Sequence, residues 1–255
     1  MNLNRRLWVT KPSLQLSNKE KMSVKKHIPN AITCCNLFSG CVACVMAFTG
    51  KFELAMLFIV LGAVFDFFDG MVARLLGVSS PLGVQMDSLA DDITFGLAPA
   101  TVIFSFMKNV LVYPAFLGAF AAVLPYFAFL IAVFSACRLA KFNIDTRQTT
   151  SFIGLPTPAN ALFWSSLIVG GKEWLMGMEH AWALIIGLIF LFSYFLISEI
   201  PMFSMKFKNL SWKSNKRRYT FLVVSAPMLA LGYLAPVAII SWYLIMSITL
   251  CKKRA

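Results

Sequence analysis

Eight apolar stretches, roughly residues 31–49, 54–76, 84–107, 112–137, 156–171, 180–199, 218–233 and 234–250, leave this chain few ways to fold. Each comes near the ~20 residues that a helix needs to cross hydrocarbon, the fifth and seventh being short. Hydrophobic residues make up 59% of the chain and charged ones 13%, whereas soluble domains carry nearer one-quarter charged residues. A water-soluble core could not hide so much apolar surface, so lipid must be the solvent for much of it. A backbone in lipid has to satisfy its own hydrogen bonds. The expected fold is all-α: a polytopic transmembrane helix bundle of about eight spans.

A formal charge of +12 suggests nucleic acid until the basic residues are located. With the N-terminus in the cytoplasm, alternating spans put every Lys and Arg except Lys51, Lys108 and Lys172 on the cytoplasmic side. This bias orients membrane chains, so the basic loops mark topology and anionic-lipid contact, and no nucleic-acid partner is expected. Met1 to His27 hold no apolar run and hence no signal peptide. The expected setting is a plasma or inner membrane with both termini cytoplasmic. The chain divides into a basic lead, 1–28, readable as an interfacial helix or a disordered tail; a membrane unit, 29–199; a basic loop, 200–217; and two further spans with a basic tail, 218–255. Pro29-Asn30 is the expected entry to the first span, since proline suits a helix start. Cys41-x2-Cys44 matches half a zinc site, but no second pair or nearby His completes it.

Charge in the wrong place carries the functional signal. Asp66, Asp69, Asp87, Asp91 and Asp92 interrupt spans two and three. A carboxylate in a membrane segment costs roughly 2.5–3.5 kcal/mol on insertion scales, and ionisable groups there are functional by default. At ~100° per helical residue, Asp66 and Asp69 lie about 60° apart and Asp87 and Asp91 about 40° apart, so each pair shares a helix face. The short connection at Leu76 to Leu82 should bring the two helices antiparallel and side by side. Four oxygen-rich ligands converging in this way suit hard divalent cations, Mg²⁺ or Mn²⁺, and two ions would make a clamp for phosphoryl chemistry. Asp92 points away from that face, toward a supporting or capping role. Gly62, Gly70 and Ala73 strip the second span so that another backbone or a bulky anion can approach closely, and Arg74 can fork onto phosphate oxygens. Ser80 adds a hydroxyl in the loop and Gly83 opens the third span. A cation-coupled transporter would spread its carboxylates over several helices or inverted repeats, whereas these sit in one helix pair.

The string Asp66-x2-Asp69-Gly70-x2-Ala73-Arg74-x8-Gly83-x3-Asp87-x3-Asp91 resembles the signature of the CDP-alcohol phosphatidyltransferase family, D-x2-D-G-x2-A-R-x8-G-x3-D-x3-D, at every fixed position. The resemblance implies a two-metal site open to the cytoplasmic leaflet, where an alcohol attacks a CDP-linked lipid and CMP leaves. It gives the metal-ligand roles to Asp66, Asp69, Asp87 and Asp91, with Asp91 also the base that takes the hydroxyl proton. Gly70, Arg74 and Ser80 match positions that contact the CDP portion. Pro29-Asn30-x2-Thr33-x2-Asn36 is similar to the family's start of the first span, which makes Asn30, Thr33 and Asn36 nucleotide-pocket candidates. A homodimer is expected by the same resemblance.

The acceptor alcohol is read from a second set of residues. Cys137-Arg138-Leu139-Ala140-Lys141-Phe142-Asn143 resembles the C-R-L-A-R-F-N stretch of the family's serine-using branch, with Lys141 in place of Arg. Phe152-x-Gly154-Leu155-Pro156-x-Pro158-Ala159 and Asp87-Ser88-Leu89-Ala90-Asp91 are similar to that branch too, whereas Asp92 stands where an apolar residue is more usual. The implied substrates are CDP-diacylglycerol and L-serine in contact with bilayer lipid, with Arg138 and Lys141 facing the acceptor. Those two cations could equally anchor a helix end. Glycerol 3-phosphate or an inositol phosphate is the alternative acceptor, and would want a denser basic pocket.

Overall fold

A computed structural model describes residues 12–145, 152–202 and 211–251. It is almost wholly helical: α1 (Pro12–Phe48), α2 (Phe52–Leu76), α3 (Pro81–Asp91), α4 (Ala98–Asn109), α5 (Leu130–Ile144), α6 (Thr157–Met176), α7 (Ala181–Ile197), α8 (Trp212–Met228) and α9 (Ala235–Cys251). One turn of π-helix, Asp92–Leu97, joins α3 to α4 into a single rod. Two-residue strands β1 (Phe152–Ile153) and β2 (Pro201–Met202) pair antiparallel and tie the connector after α5 to the one after α7. Among the described residues, five helical segments are long and apolar enough to cross a membrane, and α7 is a shorter apolar helix. The protein is an integral membrane protein, with Phe38, Leu57, Phe67, Val133 and Phe190 exposed on its surface where lipid can cover them.

Several expected boundaries move. Pro29 marks the entry of the first span, His27–Phe48, as expected, but it does not start a helix: it lies inside α1, which begins at Pro12. It removes one rung of the helix without ending it; the carbonyl it deprives, that of Lys25, lies in a stretch where Lys25 and His27 are exposed to water. The fourth span starts later than expected: Pro114, Gly118 at φ 49° and Pro125 hold residues 115–129 in two 3₁₀ segments, and the spanning helix runs Leu124–Ile144. The last two spans are a hairpin. Phe221 of α8 stacks edge-on against Tyr243 of α9 with ring centroids 6.0 Å apart, which one straight helix could not allow at ~1.5 Å rise per residue. The fold-back falls at Gly232, whose φ of 58° suits a residue without a Cβ. Residues 1–11, 146–151, 203–210 of the basic loop after α7 and 252–255 lie outside the described residues.

Burial is uneven along the bundle. In the Pro81–Asn109 rod 72% of the most apolar stretch is inside the protein, against 22% in α2. Phe95, Ile103, Phe106 and Met107 of that rod pack with Ile59, Ile131 and Trp164 in the core. The rod is therefore the axis on which the other helices lean. Its entry is well built: Gly77 caps α2 in the left-handed conformation, Ser80 accepts the Gly83 N–H at 3.0 Å, and Pro81 occupies the first turn of α3.

Candidate active site

Carboxylates from two helices meet at one end of the axis. Asp66 and Asp69 of α2 and Asp87 of α3 bring their nearest oxygens within 4.8 Å of one another. Asp91 stands one turn beyond Asp87 and is not part of that closest trio. Among the described residues no Lys or Arg forms an ion pair with any of the four. An all-oxygen cluster of unpaired carboxylates needs positive charge among them, and the donor set fits a hard divalent cation.

The two aspartate helices bring their carboxylates face to face and both pack on α1; the rod that α3 begins meets α2 through the π turn and α4. Between α2 and α3 lies an open groove. Its lining includes Asn30, Thr33, Asp69, Gly70, Ser80 and Asp87, so one concavity gathers four of the residues expected to meet a nucleotide beside two of the aspartates. Arg74 folds back along α2, and an ideal Cβ on Gly70 would stand 3.5 Å from its Nη1. Ser80 is engaged as an acceptor in the α3 cap, which leaves its hydroxyl proton free for a ligand.

From α1, two side chains one turn apart reach one aspartate on each neighbour. The Thr33 hydroxyl lies 2.6 Å from Asp69 Oδ2 and 3.1 Å from the Pro29 carbonyl. Asn36 Nδ2 donates to Asp91 Oδ1 at 3.1 Å. Both side chains are buried, and hydrogen bonds to ionised groups are about twice as strong as neutral ones. Sequence reading gave Thr33 and Asn36 to the nucleotide; their i, i+3 spacing was the available sign that they act together on one face. Asn36 is fixed in turn, because the Thr94 hydroxyl donates to its backbone carbonyl at 3.0 Å. Thr94 sits in the π turn, squeezed between two glycines. A Cβ on Gly40 would come within 2.4 Å of Thr94 Oγ1, and one on Gly62 within 2.4 Å of Thr94 Cγ2. Neither the π turn nor this pinch was visible in the sequence.

The two expected acceptor residues separate. Arg138 is buried in α5 at 8% exposure and lies over the Phe142 ring. Lys141 is far more exposed and pairs with Glu199 at 3.2 Å. Both line a small cleft with Phe142, Ile153 and the end of α7. Beside it the Asn143 amide donates to Ser88, next to Asp87, at 2.8 Å. The cysteines that suggested half a zinc site, Cys41 and Cys44, are free thiols.

Comparison with known proteins agrees with this geometry. The model of the CDP-alcohol phosphatidyltransferase family matches residues 26–250, and the chain belongs to that family. It is similar to a CDP-diacylglycerol–serine O-phosphatidyltransferase of Helicobacter pylori, with 28% identity over 218 residues, 85% of each chain. Its similarity to the enzyme of that name in Bacillus subtilis is 38% over 136 residues, 52% of this chain and 70% of the relative. An archaetidylserine synthase of Methanothermobacter thermautotrophicus is 31% identical over 163 residues, 61% of this chain and 64% of the relative.

Proposed function

We propose that this protein transfers the phosphatidyl group of CDP-diacylglycerol to the hydroxyl of L-serine, giving phosphatidylserine and CMP. The observation that carries the reading is the trio of Asp66, Asp69 and Asp87 within 4.8 Å, with Asp91 held by Asn36 beside it. Asp66, Asp69, Asp87 and Asp91 together hold two Mg²⁺ or Mn²⁺ ions. Bound there, the cations supply neutralisation of the diphosphate and of charge building on the departing phosphate. The groove between α2 and α3 takes the CDP portion: Asn30, Thr33, Gly70 and Ser80 line it and Arg74 stands above Gly70. Asn36 orients Asp91 so that its other oxygen faces the acceptor. Asp91 takes the serine hydroxyl proton as that oxygen bonds to the phosphatidyl phosphorus, and the bond from phosphorus to CMP breaks. Arg138 receives the serine carboxylate, with Lys141 and Glu199 at the mouth. The acyl chains leave sideways into bilayer lipid.

The catalytic unit is residues 29–199. The 1–28 lead, the 200–217 loop and both termini are cytoplasmic, the site opens to the cytoplasmic leaflet, and the enzyme works as a homodimer. The two further spans and tail, 218–255, are an addition to that unit, although α8 already begins at Trp212 within the expected loop. The test is CMP release by the detergent-purified protein with Mg²⁺ or Mn²⁺, offered serine, glycerol 3-phosphate, myo-inositol or no acceptor. Serine-dependent release that falls by about 10²–10⁴-fold in Asp91→Asn supports the reaction and the base together. Release driven by another acceptor keeps the metal site and removes the role given to Arg138.

A further inference from the structure

Asp92 is the fifth intramembrane carboxylate, and the reaction as derived gives it nothing to do. It begins the π turn, half-buried, and its Oδ1 is fully buried with no hydrogen-bond partner. An ideal Cβ on Gly96 would stand 2.7 Å from that oxygen and 3.0 Å from Ser135 Cβ, so Asp92 faces α5 across a glycine rather than facing the other aspartates. Across from it, Ser135 is 0% exposed with an unpartnered hydroxyl, and one turn along α5 the buried Arg138 has an unpartnered Nε. Neither Asp92 nor Arg138 takes part in an ion pair. Buried charges without partners are costly, and each such group calls for an occupant.

A zwitterion satisfies both signs at once. Building on the serine reading above, we propose that Asp92 binds the α-ammonium of the acceptor amino acid, with the Ser135 hydroxyl beside it, while Arg138 holds the carboxylate. Asp92 follows Asp91 in the chain but is turned toward α5, so serine reaches from its hydroxyl at Asp91 to its ammonium on the α5 side, where Ser135 and Arg138 stand. A fixed negative charge here also works against phosphorylated acceptors, which lack an ammonium and would bring more negative charge. Asp92 therefore tunes how tightly and how selectively serine is held, and the transfer step proceeds without it.

The experiment compares serine with 3-hydroxypropionate, which keeps hydroxyl and carboxylate but lacks the ammonium, in the full-length enzyme. In the wild type, 3-hydroxypropionate should compete at least about tenfold more weakly than the serine KM implies. In Asp92→Asn the serine KM should rise about tenfold with kcat nearly unchanged, and 3-hydroxypropionate inhibition should stay as it was. Asp92→Glu should recover part of the serine affinity. A wild type that binds the two compounds equally well overturns the proposal without any variant. A rise in the Mg²⁺ or Mn²⁺ requirement of Asp92→Asn with no change in serine KM does the same, because it makes Asp92 a support of the metal ligands. Release driven by glycerol 3-phosphate in the wild type overturns both readings, whereas serine-driven release with an unchanged KM in Asp92→Asn overturns this one alone.

Discussion

The two halves of the active site are built by different means. On the α1–α2–α3 side, negative charge is packed densely, and neutral donors from a third helix hold it: Thr33 on Asp69 and Asn36 on Asp91. On the α5–α7 side, positive charge is sparse and differently exposed, with Arg138 buried and Lys141 tied outward to Glu199. Like charges held close are strained unless something stiff surrounds them, and Thr94, Gly40 and Gly62 provide that stiffness beside the aspartates. A pair at the mouth can exchange partners at little cost, which suits the side where an acceptor must enter and a product must leave. On the function proposed above, reactivity belongs to the rigid half and selectivity to the looser one.

Variants can break that contrast in order of effect. Asp69→Asn removes a ligand from the closest trio and leaves Thr33 facing an amide. CMP release at saturating metal should fall about 10³-fold, the rate equivalent of ~4 kcal/mol. A loss of under tenfold would show that the trio tolerates a missing carboxylate and is not the reactive half. Gly62→Ala should act on folding: its Cβ meets Thr94 and Asn36 Oδ1, and overpacking costs about 1–3 kcal/mol. A lowered melting temperature in detergent is expected, with activity reduced through Asn36; an unshifted melt would mean that the pinch yields freely. Lys141→Ala should do least. Its partner is exposed and such pairs contribute about 0.2–1 kcal/mol, so turnover should stay within about threefold and serine KM should shift more than kcat.

Legibility followed the same divide. The aspartate half lies in one continuous string, Asp66 to Asp91, where helical spacing alone puts the carboxylates on shared faces. The apolar stretches also located most of the helices, including α8 and α9, which fold back at Gly232, although five segments rather than eight are long and apolar enough to cross among the described residues. Where contacts join distant residues, local pattern fell silent. Lys141 meets Glu199 and Asn143 meets Ser88 across more than 50 positions of sequence, and nothing near Lys141 announces its partner. That α2 and α3 both pack on α1, and that the rod meets α2 through the π turn and α4, joins distant residues that no periodicity encodes. Residues 112–123 were apolar enough to read as helix, yet Pro114 and Gly118 override hydropathy there. Pro29 shows the reverse, a helix continuing through a residue that usually ends one.

The pinch around Thr94 also bears on how such a chain can change over time. Positions 40, 62 and 94 share one small volume, and two of them have no side chain because the third fills it from both sides. A methyl gained at either glycine has room only if Thr94 gives up an atom, and a smaller residue at 94 would slacken the carbonyl it anchors on Asn36. The three positions thus drift as a unit or stay put. A suppressor of damage at Gly62 should be sought at position 94 on another helix, before anywhere nearer in sequence.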